Sequence, residues 1–124
     1  MKVKENTPLF YRTVALVKAI PIGKVATYGQ VAQLISAPGC ARHVSFILSS
    51  SSKKHKLPWQ RVLNSAGAIS DHRWALKQIR LLRAEGVFFQ GKKTDLKEFG
   101  WRPTKDEVKR VLKGLPEHIP LSER

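Results

Sequence analysis

Apolar residues recur at three- and four-residue spacing in several stretches of this chain, with stop signals between them, so the pattern predicts a mainly helical domain. The first stretch runs from Pro8 to about Ile20, with Thr7 as N-cap and Pro8 at the first helical position, where a missing N–H costs nothing. Phe10, Val14 and Val17 fall on its inward face. Pro21-Ile22-Gly23-Lys24-Val25 breaks the pattern. A second helix of about two turns begins at Thr27-Tyr28-Gly29-Gln30, where Thr27 and Gln30 have capping-box spacing, and carries Val31, Leu34 and Ile35. After the turn Ser36-Ala37-Pro38-Gly39, helical spacing resumes from Cys40 to about Ser50, with Ala41, Val44 and Leu48 on one stripe. Two short helices around a tight turn read as a helix-turn-helix.

The other face of that helix presents Arg42, Ser45 and Ser49, one cation among small side chains, a surface that can approach DNA closely. Ser49 to Lys56 then reads as a polar, basic loop. Arg61-Val62-Leu63 and Ala68-Ile69-Ser70 flank Asn64-Ser65-Ala66-Gly67, which has the composition of a β-hairpin turn. A longer helix follows from about Arg73 to Glu85, with Ala75, Ile79 and Leu82 inward and Gly86 as its stop. Val87-Phe88-Phe89 reads as a short strand or packed extended segment. Thr104 to Lys113 forms a last helix, with Thr104 and Glu107 as a capping box, and the final ten residues read as a frayed tail.

At 124 residues and 42% hydrophobic content, the chain has room for one modest core and hence one domain. Its net charge of +14 favours polyanions, nucleic acid first and an anionic membrane surface second. Cys40 is the only cysteine, which rules out an intramolecular disulfide or a Cys-based zinc site and points to a reducing compartment. Met1 to Thr7 contains no apolar leader, and no later apolar run approaches the roughly 18 residues needed to span a bilayer. The expectation is a soluble, cytoplasmic protein with no membrane partner, cofactor or metal.

Four strings carry a resemblance: residues 20–32, Ile-Pro-Ile-Gly-Lys-Val-Ala-Thr-Tyr-Gly-Gln-Val-Ala; Ala41-Arg42-His43-Val44; Pro58-Trp59-Gln60-Arg61-Val62; and Arg83-Ala84-Glu85-Gly86-Val87. In order and spacing, from about Phe10 to Pro103, the chain resembles the alkyltransferase-like proteins, non-catalytic relatives of the O6-alkylguanine-DNA alkyltransferases. The resemblance implies a mainly α (α+β) fold: a winged-helix-like helix-turn-helix DNA-binding domain of the alkyltransferase type with a small β-hairpin, over residues 8–103. Residues 104–124 would then be a basic C-terminal extension of short helix and tail. The transferases carry Pro-Cys-His-Arg where this chain has Pro-Trp-Gln-Arg, and the usual alkyltransferase-like string is Pro-Trp-His-Arg. Trp59 has no thiolate to accept an alkyl group, and the Gln60 amide cannot take up a proton near neutral pH, so the chain is expected not to be an enzyme. Glu85 keeps the third place of the relay and reads as a helix-end hydrogen-bond acceptor. Cys40 has no partnered base nearby in sequence and reads as a small buried side chain.

The resemblance further implies that the helix-turn-helix enters the minor groove, that Arg42 fills the space left by a rotated nucleotide, and that Ala41, Ser45 and Ser49 face the DNA. Taken alone, Arg42 reads as a solvated charge or a phosphate clamp before it reads as a residue that fills the stack. Tyr28 would press on the adjacent phosphate and line the lesion pocket with Leu48, Trp59, Arg61, Val62, Ser70 and either His72 or Arg73, the last two belonging to the loop that closes it. In this set Arg61 reads more as an anchor for the turn than as a base reader. Asp95 to Pro103 resembles the ending of bacterial alkyltransferase-like chains, with Trp101 in the core or at a partner contact. The implied function is binding of O6-alkylguanine in double-stranded DNA without alkyl transfer, followed by handover to nucleotide-excision repair through a UvrA-type sensor. Two alternatives remain: a non-specific or transcription-regulatory helix-turn-helix protein, which would normally carry several base-reading side chains, and a residual alkyltransferase or glycosylase.

Overall fold

The structure is a computed structural model and describes residues 2–124. Helix α1, Pro8–Ala19, begins where the Thr7 hydroxyl accepts the Phe10 N–H, and it buries Leu9, Phe10, Leu16 and Val17. Strand β1, Ala26–Thr27, leads directly into α2, Tyr28–Leu34, capped by Thr27 through the Gln30 N–H. Only half of the anticipated capping box forms there, because the Gln30 side chain donates to the Trp101 carbonyl instead of reaching back. Helix α2 ends in a Schellman arrangement, with Ser36 N–H on the Gln33 carbonyl and Ala37 N–H on the Ala32 carbonyl. That ending forces Ser36 to φ +66°, a left-handed conformation unfavourable for any residue with a β-carbon.

Helix α3, Ala41–His55, is a turn and a half longer than its sequence suggests. Residues 51–55, expected in a loop, are helical because tertiary contacts outweigh serine's weak propensity. Ser51 is buried, the His55 ring packs edge-on against Phe10, and the Ser49 and Ser50 hydroxyls donate back to the Phe46 carbonyl. Lys56 closes the helix in the left-handed conformation. Lysines and histidine in the last turn also suit the negative end of the helix dipole.

A short 3-10 turn, Trp59–Arg61, runs into β2, Val62–Leu63, which pairs in parallel with β1, Ala26 opposite Val62 and Thr27 opposite Leu63. The expected hairpin is therefore realised only as a turn. Asn64 accepts the Ala66 and Ala68 N–H groups through its side-chain oxygen and donates its own N–H to the Ala68 carbonyl. Beyond it, residues 67–69 pair with residues 92–94, through Ile69 N–H to Lys92 carbonyl and Thr94 N–H to Gly67 carbonyl. The edge of β2 is already engaged by β1, whose residues lie far upstream. Gly67 has φ +73°, and a β-carbon there would stand 2.8 Å from the Leu96 side chain, so the turn requires glycine.

Helix α4, Ala75–Ala84, starts two residues later than expected and buries Ala75, Gln78, Ile79 and Leu82. Val87 and Phe89 are buried while Phe88 is exposed, the alternation of an extended segment. A single turn, α5, Leu96–Phe99, precedes Trp101, which is 7% exposed and in the core. Helix α6, Lys105–Leu112, packs on α1, and only half of its capping box forms: Thr104 Oγ1 accepts the Glu107 N–H, while its hydroxyl, and not its backbone N–H, donates to the Glu107 carboxylate. The final residues are not frayed. Ile119 is buried, Glu123 accepts the Leu9 N–H at the start of α1, and the buried Arg12 donates to the carbonyls of Ile35 and Pro116. A guanidinium inside the protein needs such acceptors, and Arg12 thereby ties the helix-turn-helix to the chain's end.

Candidate nucleic-acid interface

Helices α2 and α3 pack against each other around Val31, Ala32, Ile35, Val44 and Ile47, which fixes the outward face of α3. That face carries Arg42, Ser45 and Ser49, all exposed, with Ala41 half-buried at its start. The Tyr28 phenol, at the first position of α2, lies beside the Ser45 side chain. Burial pushes the Tyr28 pKa up and outweighs the opposing effect of Ser45, so the phenol stays neutral and able to donate.

Behind Tyr28 lies a cavity of about 20 Å³, bounded by Val62, the 64–70 turn, His72 and Gln78. The structure thus brings four of the sequence-predicted pocket residues together: Tyr28, Val62, Ser70 and His72. It places the others elsewhere. Leu48 is in the core between α3 and its neighbours. Trp59 is half-buried on the turn that enters β2, and does not line the cavity. Arg73 projects over the Trp74 ring at 5.4 Å, on the exposed side of the loop. Of the two candidates for the closing loop, His72 is the one at the cavity.

Arg61 is turned inward. Its Nε and Nη2 donate to the two oxygens of Glu85 at 2.9 and 3.2 Å, and its Nη1 donates to the Ile20 carbonyl at 2.8 Å. Glu85 also accepts the Gly23 N–H and the Gln60 amide, at 3.0 and 2.9 Å. Burial raises the Glu85 pKa, but the bonds from Arg61, Gly23 and Gln60 together exceed it and hold the carboxyl below its usual range. The carboxylate therefore joins three segments: the break after α1, the turn before β2 and the end of α4. All its lone pairs face donors, which leaves it no proton to give and no free oxygen to receive one.

Gln78 was not among the residues singled out in sequence. It is 4% exposed, and its amide nitrogen donates to the carbonyls of Gln60 and Val62, each at 3.1 Å. Its oxygen stands 3.0 Å from His72 Nε2, while His72 Nδ1 accepts the Trp74 N–H. With Nδ1 an acceptor, the neutral ring carries its proton on Nε2 and donates to Gln78. The signal in the sequence was a polar residue on the buried stripe 75, 78, 79, 82 of α4.

Cys40 is buried at the N-cap position of α3. Among the described residues no group of three or more His, Cys, Asp or Glu stands together as a metal site, and no helix is long and apolar enough to cross a membrane. A wider open cleft, about 430 Å³, lies between residues 21–24 and 97–107, and no predicted site residue lines it.

Residues 8–87 match the family described as 6-O-methylguanine DNA methyltransferase, DNA binding domain. A Vibrio parahaemolyticus protein named DNA base-flipping protein is 42% identical over 91 residues, 72% of this chain and 91% of its own length. Alkyltransferase-like protein 1 of Schizosaccharomyces pombe is 36% identical over 92 residues, 68% of this chain and 85% of its own. The crystal structure of S. pombe Atl1 in complex with damaged DNA containing O6-carboxymethylguanine matches with a TM-score of 0.70 at 33% identity, covering 79% of this chain and 99% of that one.

Proposed function

Because the chain belongs to the 6-O-methylguanine DNA methyltransferase DNA-binding-domain family, we propose that it binds O6-alkylguanine in double-stranded DNA, rotates the nucleotide out of the helix and holds it without chemical change. The supporting observation is contiguity. Ser45, one turn from Arg42 on the exposed face of α3, neighbours Tyr28, which lines the cavity, so a base leaving a duplex on that face has a short path inward past Tyr28.

Arg42 enters the minor groove and replaces the departed nucleotide in the stack. Extruding a paired base costs a few kcal/mol, and less where an O6-alkyl group has already weakened its pairing, so part of the lesion preference arises before any pocket contact. The cavity as it stands has room for about one water. Base entry therefore requires residues 70–74 to move, releasing His72 from Gln78. Once open, the site offers the Tyr28 phenol, His72 and the backbone of β2 to the purine.

No alkyl transfer follows. Position 59 offers an indole rather than a thiolate, and Gln60 donates to Glu85 in place of a proton relay. A protein that marks a lesion without repairing it needs a downstream actor, and this reading assigns that part to nucleotide-excision repair through a UvrA-type damage sensor. Competition binding at fixed salt, with otherwise identical duplexes carrying guanine or O6-methylguanine, tests the lesion claim. Clear preference for the lesion, largely lost in Arg42→Ala, is expected. Equal affinity of the wild type for both duplexes refutes it.

A further inference from the structure

The C-terminal part of α3 has no place in the lesion-binding account, yet its charges are sorted with respect to the helix faces. At about 100° per residue, Arg42, Ser49 and Lys53 point within about 40° of one another, with Ser45 some 60° to one side. Val44, Ile47, Leu48 and Ser51 fill the opposite, buried side. Lys54 is rotated away from the Arg42 face and is paired with Glu5 at 3.0 Å, and His55 leans on Phe10. Lys53 and Lys56 are exposed and have no ion-pair partner among the described residues. Nor does the chain place a carboxylate nearby in sequence, since no Asp or Glu occurs between Glu5 and Asp71.

The helix dipole alone would favour cations in this last turn. That role is met by any lysine regardless of the side it occupies, and Lys54 already serves it. What the dipole does not explain is an outward row of an arginine, two serines and a lysine, with the half-buried Phe46 at its edge, continued by Lys56 at the cap. Lys53 lies eleven residues beyond Arg42, about 16 Å along the axis, whereas a minor groove is only about 6 Å wide. With Arg42 inside the groove and the axis of α3 crossing it, Lys53 lies outside it and meets the sugar–phosphate wall rather than base edges. The intervening serines are short enough to let the helix lie close to that wall.

We propose that Lys53 and Lys56 form a lesion-independent clamp, each neutralising a backbone phosphate of the duplex that Arg42 enters. This rests on the reading of α3 as the DNA-facing helix. The contact would set how long and where the protein dwells on undamaged DNA, while Arg42 and the cavity set which nucleotide is chosen.

The test is the salt dependence of binding to guanine and O6-methylguanine duplexes, from about 50 to about 200 mM, for wild type, Lys53→Ala, Lys56→Ala, the double variant and Lys54→Ala. Each of the first two substitutions should make the slope of log affinity against log salt shallower by about 0.9, and the double by about 1.8. Over that fourfold rise in salt, each lysine removed should reduce the loss of affinity by about 3.5-fold. The ratio of affinities for the two duplexes should not change, and Lys54→Ala should alter the slope far less than Lys53→Ala. A double variant with the wild-type slope, or one no shallower than Lys54→Ala, overturns the clamp. Failure of the lesion reading looks different: the wild type would bind both duplexes equally, and the slopes would still decide whether the lysines touch phosphate.

Discussion

Replacing Glu85 by glutamine should destabilise the protein by about 3 kcal/mol at neutral pH, and the difference should shrink in acid. The two side chains of the Arg61–Glu85 pair are only 13% and 12% exposed, so water screens it poorly. The carboxylate takes four donors: Gly23 N–H and Arg61 Nε on one oxygen, Gln60 Nε2 and Arg61 Nη2 on the other. Glutamine keeps the shape but turns one oxygen into an NH2, which would face donors on either side. Removing one member of a buried pair costs about 3–5 kcal/mol. The lower end applies because one oxygen remains and Arg61 keeps the Ile20 carbonyl. The Glu85 pKa is depressed in the folded state, so its contribution is complete above the unfolded value of about 4.5 and is lost as pH falls through the lower folded value. Urea unfolding of both proteins across that range measures the difference. A gap under about 1 kcal/mol at neutral pH, or one that stays constant on acidification while both proteins remain folded, refutes the reasoning.

Ser36→Gly should stabilise by about 1 kcal/mol, since glycine relieves the left-handed strain at the end of α2; thermal unfolding would show it as a raised Tm. Gln78→Leu should lose about 1–3 kcal/mol because it leaves two carbonyls and the His72 Nε2–H without their buried partner. Because base entry has to release His72 from Gln78, the same variant should ease that opening and raise affinity for the O6-methylguanine duplex in competition binding. Deleting residues 104–124 should lower the urea midpoint markedly, because it removes the cover over α1, the buried Ile119 and the Glu123 cap on Leu9.

The elements legible in the sequence were those whose causes are local. Thr7 before Pro8, Thr27 before α2 and Thr104 before α6 each mark a helix start that the structure reproduces, because a hydroxyl satisfies an N–H three residues ahead. What was not legible depends on partners distant in the chain. Ser49–Ser52 has loop composition, and only the burial of Ser51 and the packing of His55 on Phe10 make it helical. The strand Val62–Leu63 pairs with residues 26–27 and not with its sequence neighbours, a choice no local pattern records. The tail looked frayed from its prolines, yet Ile119 and Glu123 have docking places that α1 provides.

In the site, strings that named Tyr28, Val62, Ser70 and His72 placed residues that do meet around one cavity. Leu48, Trp59, Arg61 and Arg73 fell outside it because a motif gives a residue's position along an element and not the direction of its side chain. Gln78 was missed for the complementary reason. A polar group on an apolar stripe is visible in sequence, but its partners, the carbonyls of residues 60 and 62 and the His72 ring, are visible only in the fold.

The most direct measurement is a crystal structure of this protein with a duplex containing a single O6-methylguanine. It should show the modified base outside the stack, lying between Tyr28 and a displaced His72, with the Arg42 side chain in the vacated position and the methyl group still on the base. A modified guanine still stacked and paired in the duplex, with Arg42 on phosphate alone, would contradict the account.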